Sequence, residues 1–122
     1  MRDIVDITKA LADETRLRMM ALLFHGELCV CHILEVFDLA PSTISKHLYI
    51  LKQARLVETR KEGRWIYYRL PDKEITGEIN HTIEWLKTIL KGNPVIREDY
   101  RRLKGIIKIE PQALCERQRE AC

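Results

Sequence analysis

The segment from Pro41 to Ala54 constrains the chain more than any other. Proline is tolerated in the first turn of a helix, where its missing N–H has no partner to lose, so Pro41 marks a helix start. Ile44, Leu48 and Leu51 follow at i, i+4 and i+7 and make one apolar face. The opposite face carries Ser42, Ser45, Lys46 and Tyr49. Such a helix must rest on an apolar support and leave a face of short hydroxyls, a cation and a phenol open. A single α-helix fits the major groove of DNA, whose base edges offer donors and acceptors to side chains of this kind.

The flanking segments supply the support. Residues 3–11 carry Ile4, Ile7 and Leu11 on one face. Residues 13–24 carry Leu17, Met20, Ala21 and Phe24, with Asp13 as N-cap and Gly26 as the stop. Residues 27–37 carry Val30, Ile33, Leu34 and Phe37. Asp38-Leu39-Ala40 leaves room only for a tight turn before Pro41, and this is the helix-turn-helix arrangement. Residues 57–61 and 65–70 are rich in strand formers, with Glu62-Gly63-Arg64 as the hairpin turn between them. A last long helix over 72–90 presents Ile75, Ile79, Ile83, Leu86 and Leu90, and Gly92-Asn93-Pro94 ends it. The expected fold is mainly α with a small β-hairpin: a winged helix-turn-helix over residues 1–91, then a C-terminal tail over 92–122. Within the tail, 106–109 reads as extended and 111–122 as a short helix.

Charge points to the partner. Between Pro41 and Leu70 seven basic residues face two acidic ones, in a chain whose net charge is only +3. A cationic stretch in a near-neutral chain suits a polyanion, here double-stranded operator DNA. Ser42, Thr43, Ser45, Lys46 and Tyr49 are the expected contacts on the reading helix, and Arg60, Lys61 and Arg64 on the hairpin wing. His47 borders the apolar face, so both DNA contact and packing are open to it. The apolar stripe of 72–90 exceeds what a solvated helix needs and, with the first helix, makes a seam for a homodimer. A two-fold dimer reads an inverted repeat.

The chain has four cysteines, Cys29, Cys31, Cys115 and Cys122. Cys29-Val30-Cys31 is too tight for an ordinary structural disulfide, whereas neighbouring thiols suit soft ions. No Cys-x-x-Cys or oxyanion loop accompanies them, so the expectation is a binding protein and not an enzyme. No apolar run approaches the ~20 residues that cross a bilayer, and Met1-Arg2-Asp3-Ile4 opens no secretory segment. A cytoplasmic location is expected, with no membrane partner.

Ala10-Leu11-Ala12-Asp13-Glu14-Thr15-Arg16-Leu17, Glu27-Leu28-Cys29-Val30-Cys31, Pro41-Ser42-Thr43-Ile44-Ser45-Lys46-His47-Leu48 and Leu51 through Val57 resemble the ArsR/SmtB family of metal-responsive repressors, over about residues 3 to 91. The resemblance implies four helices, a hairpin and a fifth helix, a homodimer, and repression relieved by metal. A Cys-x-Cys before the recognition helix is similar to members that sense arsenite and antimonite, or cadmium and lead. The expected inducer is trivalent arsenic or antimony held by Cys29 and Cys31; cadmium or lead response and thiol-redox response are the alternatives. Some arsenite sensors carry a third cysteine where this chain has Leu34. A third sulfur must then come from Cys115 or Cys122, or the site has two. Zinc sensing at the last helix is not expected. His81-Thr82-Ile83-Glu84 matches half of that site, and the other half falls on Tyr68 and Leu70.

One geometric conflict remains. Residues at i and i+2 of a regular helix point about 200° apart. Cys29 and Cys31 therefore share one ion only if the helix of 27–37 starts late or its first turn unwinds.

Overall fold

In a computed structural model, residues 1–72 and 76–120 are described. Helices α1 (Arg2–Leu11) and α2 (Glu14–Leu22) are followed by a 3-10 turn, Leu23–His25. Strand β1 (Leu28–Cys29), α3 (Val30–Val36) and α4 (Pro41–Gln53) come next. The hairpin β2 (Glu58–Glu62) and β3 (Trp65–Arg69) precedes α5 (Gly77–Ile89), α6 (Pro94–Ile106) and α7 (Pro111–Glu120). Among the described residues, no helix is long and apolar enough to cross a membrane.

Local chemistry sets the boundaries. Asp13 is extended, and its carboxylate accepts a 3.0 Å hydrogen bond from the Arg16 N–H, capping α2. Gly26, at φ 126°, takes the chain out of the 3-10 turn. Helix α4 ends where Arg55 adopts φ 64°. There Leu56 N–H donates to Leu51 O and Arg55 N–H to Lys52 O, both at 3.0 Å, the paired bonds of a left-handed C-cap. Gly63, at φ 60°, makes the first central position of the two-residue wing turn.

The core joins α2, α3, α4, α5 and α6. Met19, Met20, Ile33, Val36, Ile44, Leu48, Leu51, Leu56, Leu86 and Leu103 are buried together. Each such aliphatic side chain contributes about 1.5–3 kcal/mol on burial. The apolar face expected for the helix starting at Pro41 (Ile44, Leu48, Leu51) is fully inside it.

Three sequence expectations need correction. The helix expected over 27–37 begins at Val30, because Leu28 and Cys29 pair antiparallel with Tyr68 and Tyr67 and turn the hairpin into a sheet of order β1-β3-β2. Residues 106–109 are not extended: Ile106 closes α6 and the chain turns through 107–109. Asn93 caps that helix by accepting from Val95 N–H at 2.9 Å, and Ile96, Tyr100 and Leu103 then repeat at helical spacing. The last helix of the expected winged domain starts at Gly77, not at residue 72, and Ile75 lies outside the described residues.

Residues 94–120 are thus two helices laid on the helix-turn-helix domain. Leu103 enters the main core, and α7 packs Leu114 against Cys29 and Cys31. Asp99 of α6 is buried and forms two 2.8 Å bonds to the Arg18 guanidinium of α2, which also lies 4.9 Å from the Phe37 ring centroid.

Candidate functional site

Two regions carry the expected chemistry: the open face of α4 with the wing, and the cysteines behind it. On α4, Ser42, Thr43, Ser45, Lys46 and Tyr49 are all exposed while Ile44 and Leu48 point inward. The hydroxyls, the ammonium and the phenol therefore form one free polar surface on a helix held from below. Replacing Lys46 by alanine is expected to weaken operator binding roughly equally across sequences. A titration at several salt concentrations should show the slope of log K against log[salt] falling by about one per subunit. An unchanged slope would remove Lys46 from the phosphate contacts.

His47 is half-buried, and its Nδ1 lies 3.1 Å from Arg16 Nη1 and 3.9 Å from the Asp13 carboxylate. It ties α4 to the cap of α2. Arg60 on β2 forms ion pairs with Glu27 (2.7 Å) and Glu62 (2.8 Å), with its guanidinium 4.4 Å from the Tyr67 centroid. The hydrogen bond from Arg60 holds the Glu27 carboxyl below its ordinary range. Lys61 and Arg64 are exposed along the wing, and Arg64 lies 4.8 Å over the Trp65 ring.

Behind this face, α3 and α7 bring sulfur together. Cys29 ends β1 and Cys31 sits in the first turn of α3, both buried. Cys29 has extended backbone angles, φ −68° and ψ 146°, so the two residues do not share a helix. The late helix start lifts the 200° opposition of a regular i, i+2 pair. Cys115, half-buried on α7, reaches Cys31, and the two are joined as a disulfide with Cα atoms 6.1 Å apart. All three cysteines lie in one apolar cluster with Leu114, Trp65, Tyr67, Ile106 and Ile109. Burial pushes the Cys29 thiol up, with backbone N–H groups pulling weakly the other way. Among the described residues, no three His, Cys, Asp or Glu side chains converge closely enough to hold an ion as they stand. Cys122 lies outside the described residues.

Polar bonds fasten α7 and the α6–α7 turn to the same helix. Gln118 Nε2 donates to Cys31 O at 3.1 Å and to Glu35 at 3.2 Å. Buried His32 donates through Nε2 to Ile109 O at 3.2 Å, and its Nδ1 has no partner among the described residues. Sequence reading missed Trp65, Tyr67, His32 and Gln118 at this site. The first two lie on the expected strand β3 and come beside the cysteines through β1, which the sequence did not suggest. Nothing local marks the others, since their contacts span 77 residues for His32 and 87 for Gln118.

Comparisons with known proteins agree with this architecture. Residues 13–59 match the family described as "Bacterial regulatory protein, arsR family". The chain is 38% identical over 97 residues to an arsenic resistance transcriptional regulator, ArsR1, of Pseudomonas putida, spanning 70% of this chain and 76% of that protein. Among solved structures it is similar to HlyU of Vibrio cholerae, with TM-score 0.62 and 33% identity over 72% of this chain and 91% of that one. It is also similar to the homodimeric winged helix-turn-helix domain of a possible ArsR-family regulator of Mycobacterium bovis, with TM-score 0.58 and 28% identity over 75% of this chain and 86% of that one. An exposed hydroxyl-and-cation helix on a winged scaffold, together with identity this extensive to a curated regulator, leads to one conclusion: the chain belongs to the arsR family of bacterial regulatory proteins and is a winged helix-turn-helix transcriptional regulator.

Proposed function

We propose that the chain is a homodimeric repressor that holds operator DNA through α4 and the wing. It lets go when trivalent arsenic or antimony bonds to Cys29, Cys31 and Cys115. The observation that carries this is the placement of Cys115 on α7 beside Cys31, in the apolar cluster that already buries Cys29. This supplies the third sulfur that Leu34 does not. Arsenous acid exchanges three thiols for three waters and leaves a neutral centre, which suits an apolar pocket. Cadmium with three thiolates leaves a net negative charge there, so this chemistry favours the metalloid. The P. putida relative is named for arsenic resistance, in line with that choice.

The route to the DNA is short. Cys29 is paired through its backbone with Tyr67 on wing strand β3, and Cys31 lies in the first turn of α3, which is followed by the turn into α4. Closing three sulfurs on one atom displaces at least one of these segments. Release then requires that the bound state disfavour the operator-fitting arrangement, a coupling of about 1–3 kcal/mol or 5–150-fold in affinity. Ser42, Thr43, Ser45, Lys46, Tyr49, Lys61 and Arg64 make the DNA contacts, while His47 and Arg60 hold the reading helix and wing in position. Ile4 and Val5 on α1 and Trp85 and Ile89 on α5 are exposed apolar side chains, which suits burial against a second copy; the M. bovis neighbour is a homodimer.

The test is arsenite titration of the operator complex, under a phosphine reductant, for the parent chain and Cys115→Ser. Loss of one of three arsenic–sulfur bonds is expected to raise the half-release concentration by at least about tenfold, or 1.4 kcal/mol. Equal release by the two chains overturns the three-sulfur site.

A further inference from the structure

We infer that Cys31 and Cys115 form an oxidative lock on the inducer site: a disulfide between them keeps the chain on DNA and blind to metalloid. The inference rests on the reading of these cysteines as the inducer site. Two sulfurs bonded to one another cannot also bond arsenic, and Cys29 by itself is no chelate. The structure joins this pair while Ser42, Thr43, Ser45, Lys46 and Tyr49 of α4 stay exposed, so the bond leaves that polar face uncovered.

The surroundings favour closure within one chain. Gln118 clamps α7 to Cys31 O and Glu35, and His32 clamps the α6–α7 turn through Ile109 O. These bonds fasten the two helices that carry the cysteines, which stand 84 residues apart in sequence and 6.1 Å apart between Cα atoms. Cys115 is the more exposed of the two and Cys31 is buried, so an oxidant meets Cys115 first. With a peroxide the step balances. The Cys115 sulfur attacks one peroxide oxygen to give a sulfenic acid, releasing water from hydrogen peroxide. Cys31 Sγ then attacks that sulfur, the S–O bond breaks, the S–S bond forms, and the hydroxyl leaves with the Cys31 proton as a second water. Two thiols lose two electrons and the peroxide gains them. Buried Cys29 stays a thiol.

The consequence is a regulator with two inputs, in which metalloid speaks only while the pair is reduced. The experiment uses the full-length chain on its operator, either reduced with a phosphine or treated with hydrogen peroxide and then desalted. Peptide mapping under non-reducing conditions should recover Cys31 linked to Cys115 within one chain. The oxidised complex should keep its operator affinity within about threefold and need at least about 100-fold more arsenite for half-release, a block that phosphine reverses. In Cys115→Ser, peroxide should leave the arsenite response where it stands in that reduced variant. Arsenite release from the oxidised parent at the reduced parent's concentration overturns the lock, as does release by peroxide alone or absence of the Cys31–Cys115 peptide. The reduced parent separates the two ideas, because its failure to release with arsenite sinks the inducer site itself.

Discussion

Substituting Cys31 with serine is expected to give a protein that stays on its operator at arsenite concentrations that clear the parent chain. Cys31 is buried at the head of α3, joined to Cys115 and clustered with Cys29, so it is the centre of the sulfur set. A hydroxyl is similar in size but is a hard donor, and it does not replace sulfur toward a soft centre. The expected result is a half-release concentration raised at least about 100-fold, equivalent to about 2.7 kcal/mol. Operator affinity without arsenite should stay within about threefold, because the reading face of α4 does not include this residue. A buried unpaired hydroxyl costs about 1–3 kcal/mol of stability, which thermal unfolding registers separately from release. Normal release by Cys31→Ser would place the sensing sulfurs elsewhere in the chain.

The second large effect belongs to Arg18→Met. The Asp99 side chain is 4% exposed, and both its oxygens accept from Arg18 at 2.8 Å. Hydrogen bonding to Asp99 raises the Arg18 guanidinium above its ordinary range, against a smaller opposing effect of burial. Methionine keeps much of the packing on Phe37 but leaves a buried carboxylate without its cation. Breaking one side of a buried pair costs about 3–5 kcal/mol. For a chain of this size the loss corresponds to a fall in Tm of roughly 10–20 °C. Asp99→Asn in the same background removes the orphaned charge, so the double variant should recover part of the loss. If Arg18→Met melts with the parent, the ion pair does not hold α6 on α2.

The two predictions probe different roles of the same appended helices. Helix α6 is fastened to α2 by charge and by Leu103 in the core. Helix α7 is fastened to α3 by Leu114, Gln118 and Cys115. Residues 94–120 are therefore part of the body on which the sulfur site is built.

Much of this protein was legible before any coordinates. The Pro41 helix start, the Ile44-Leu48-Leu51 face, the Asp13 cap and the Gly63 turn are short-range features, governed by helical period, by one side-chain acceptor and by the conformational freedom of glycine. The open face of α4 followed directly, because a helix with one apolar face leaves its other face outside. What escaped was decided at long range. Strand β1 is two residues long, and only its pairing with β3 makes it a strand at all. That pairing delays the start of α3 and leaves Cys29 outside the helix, so the opposition expected of two residues on one regular helix does not apply to Cys29 and Cys31. Cys115 carried no local sign of its neighbour, since 84 residues separate it from Cys31 and only the packing of α7 on α3 closes the gap. His47, which the sequence left open between DNA contact and packing, lies against Arg16, and Arg60, expected on the wing, is paired with Glu27 in this structure. The amino-acid order alone determined the open polar face of α4, because periodicity and capping act within a few residues. The tertiary structure decided the sulfur cluster and its link to that helix, because contacts between distant segments depend on how helices pack and not on any pattern along the chain.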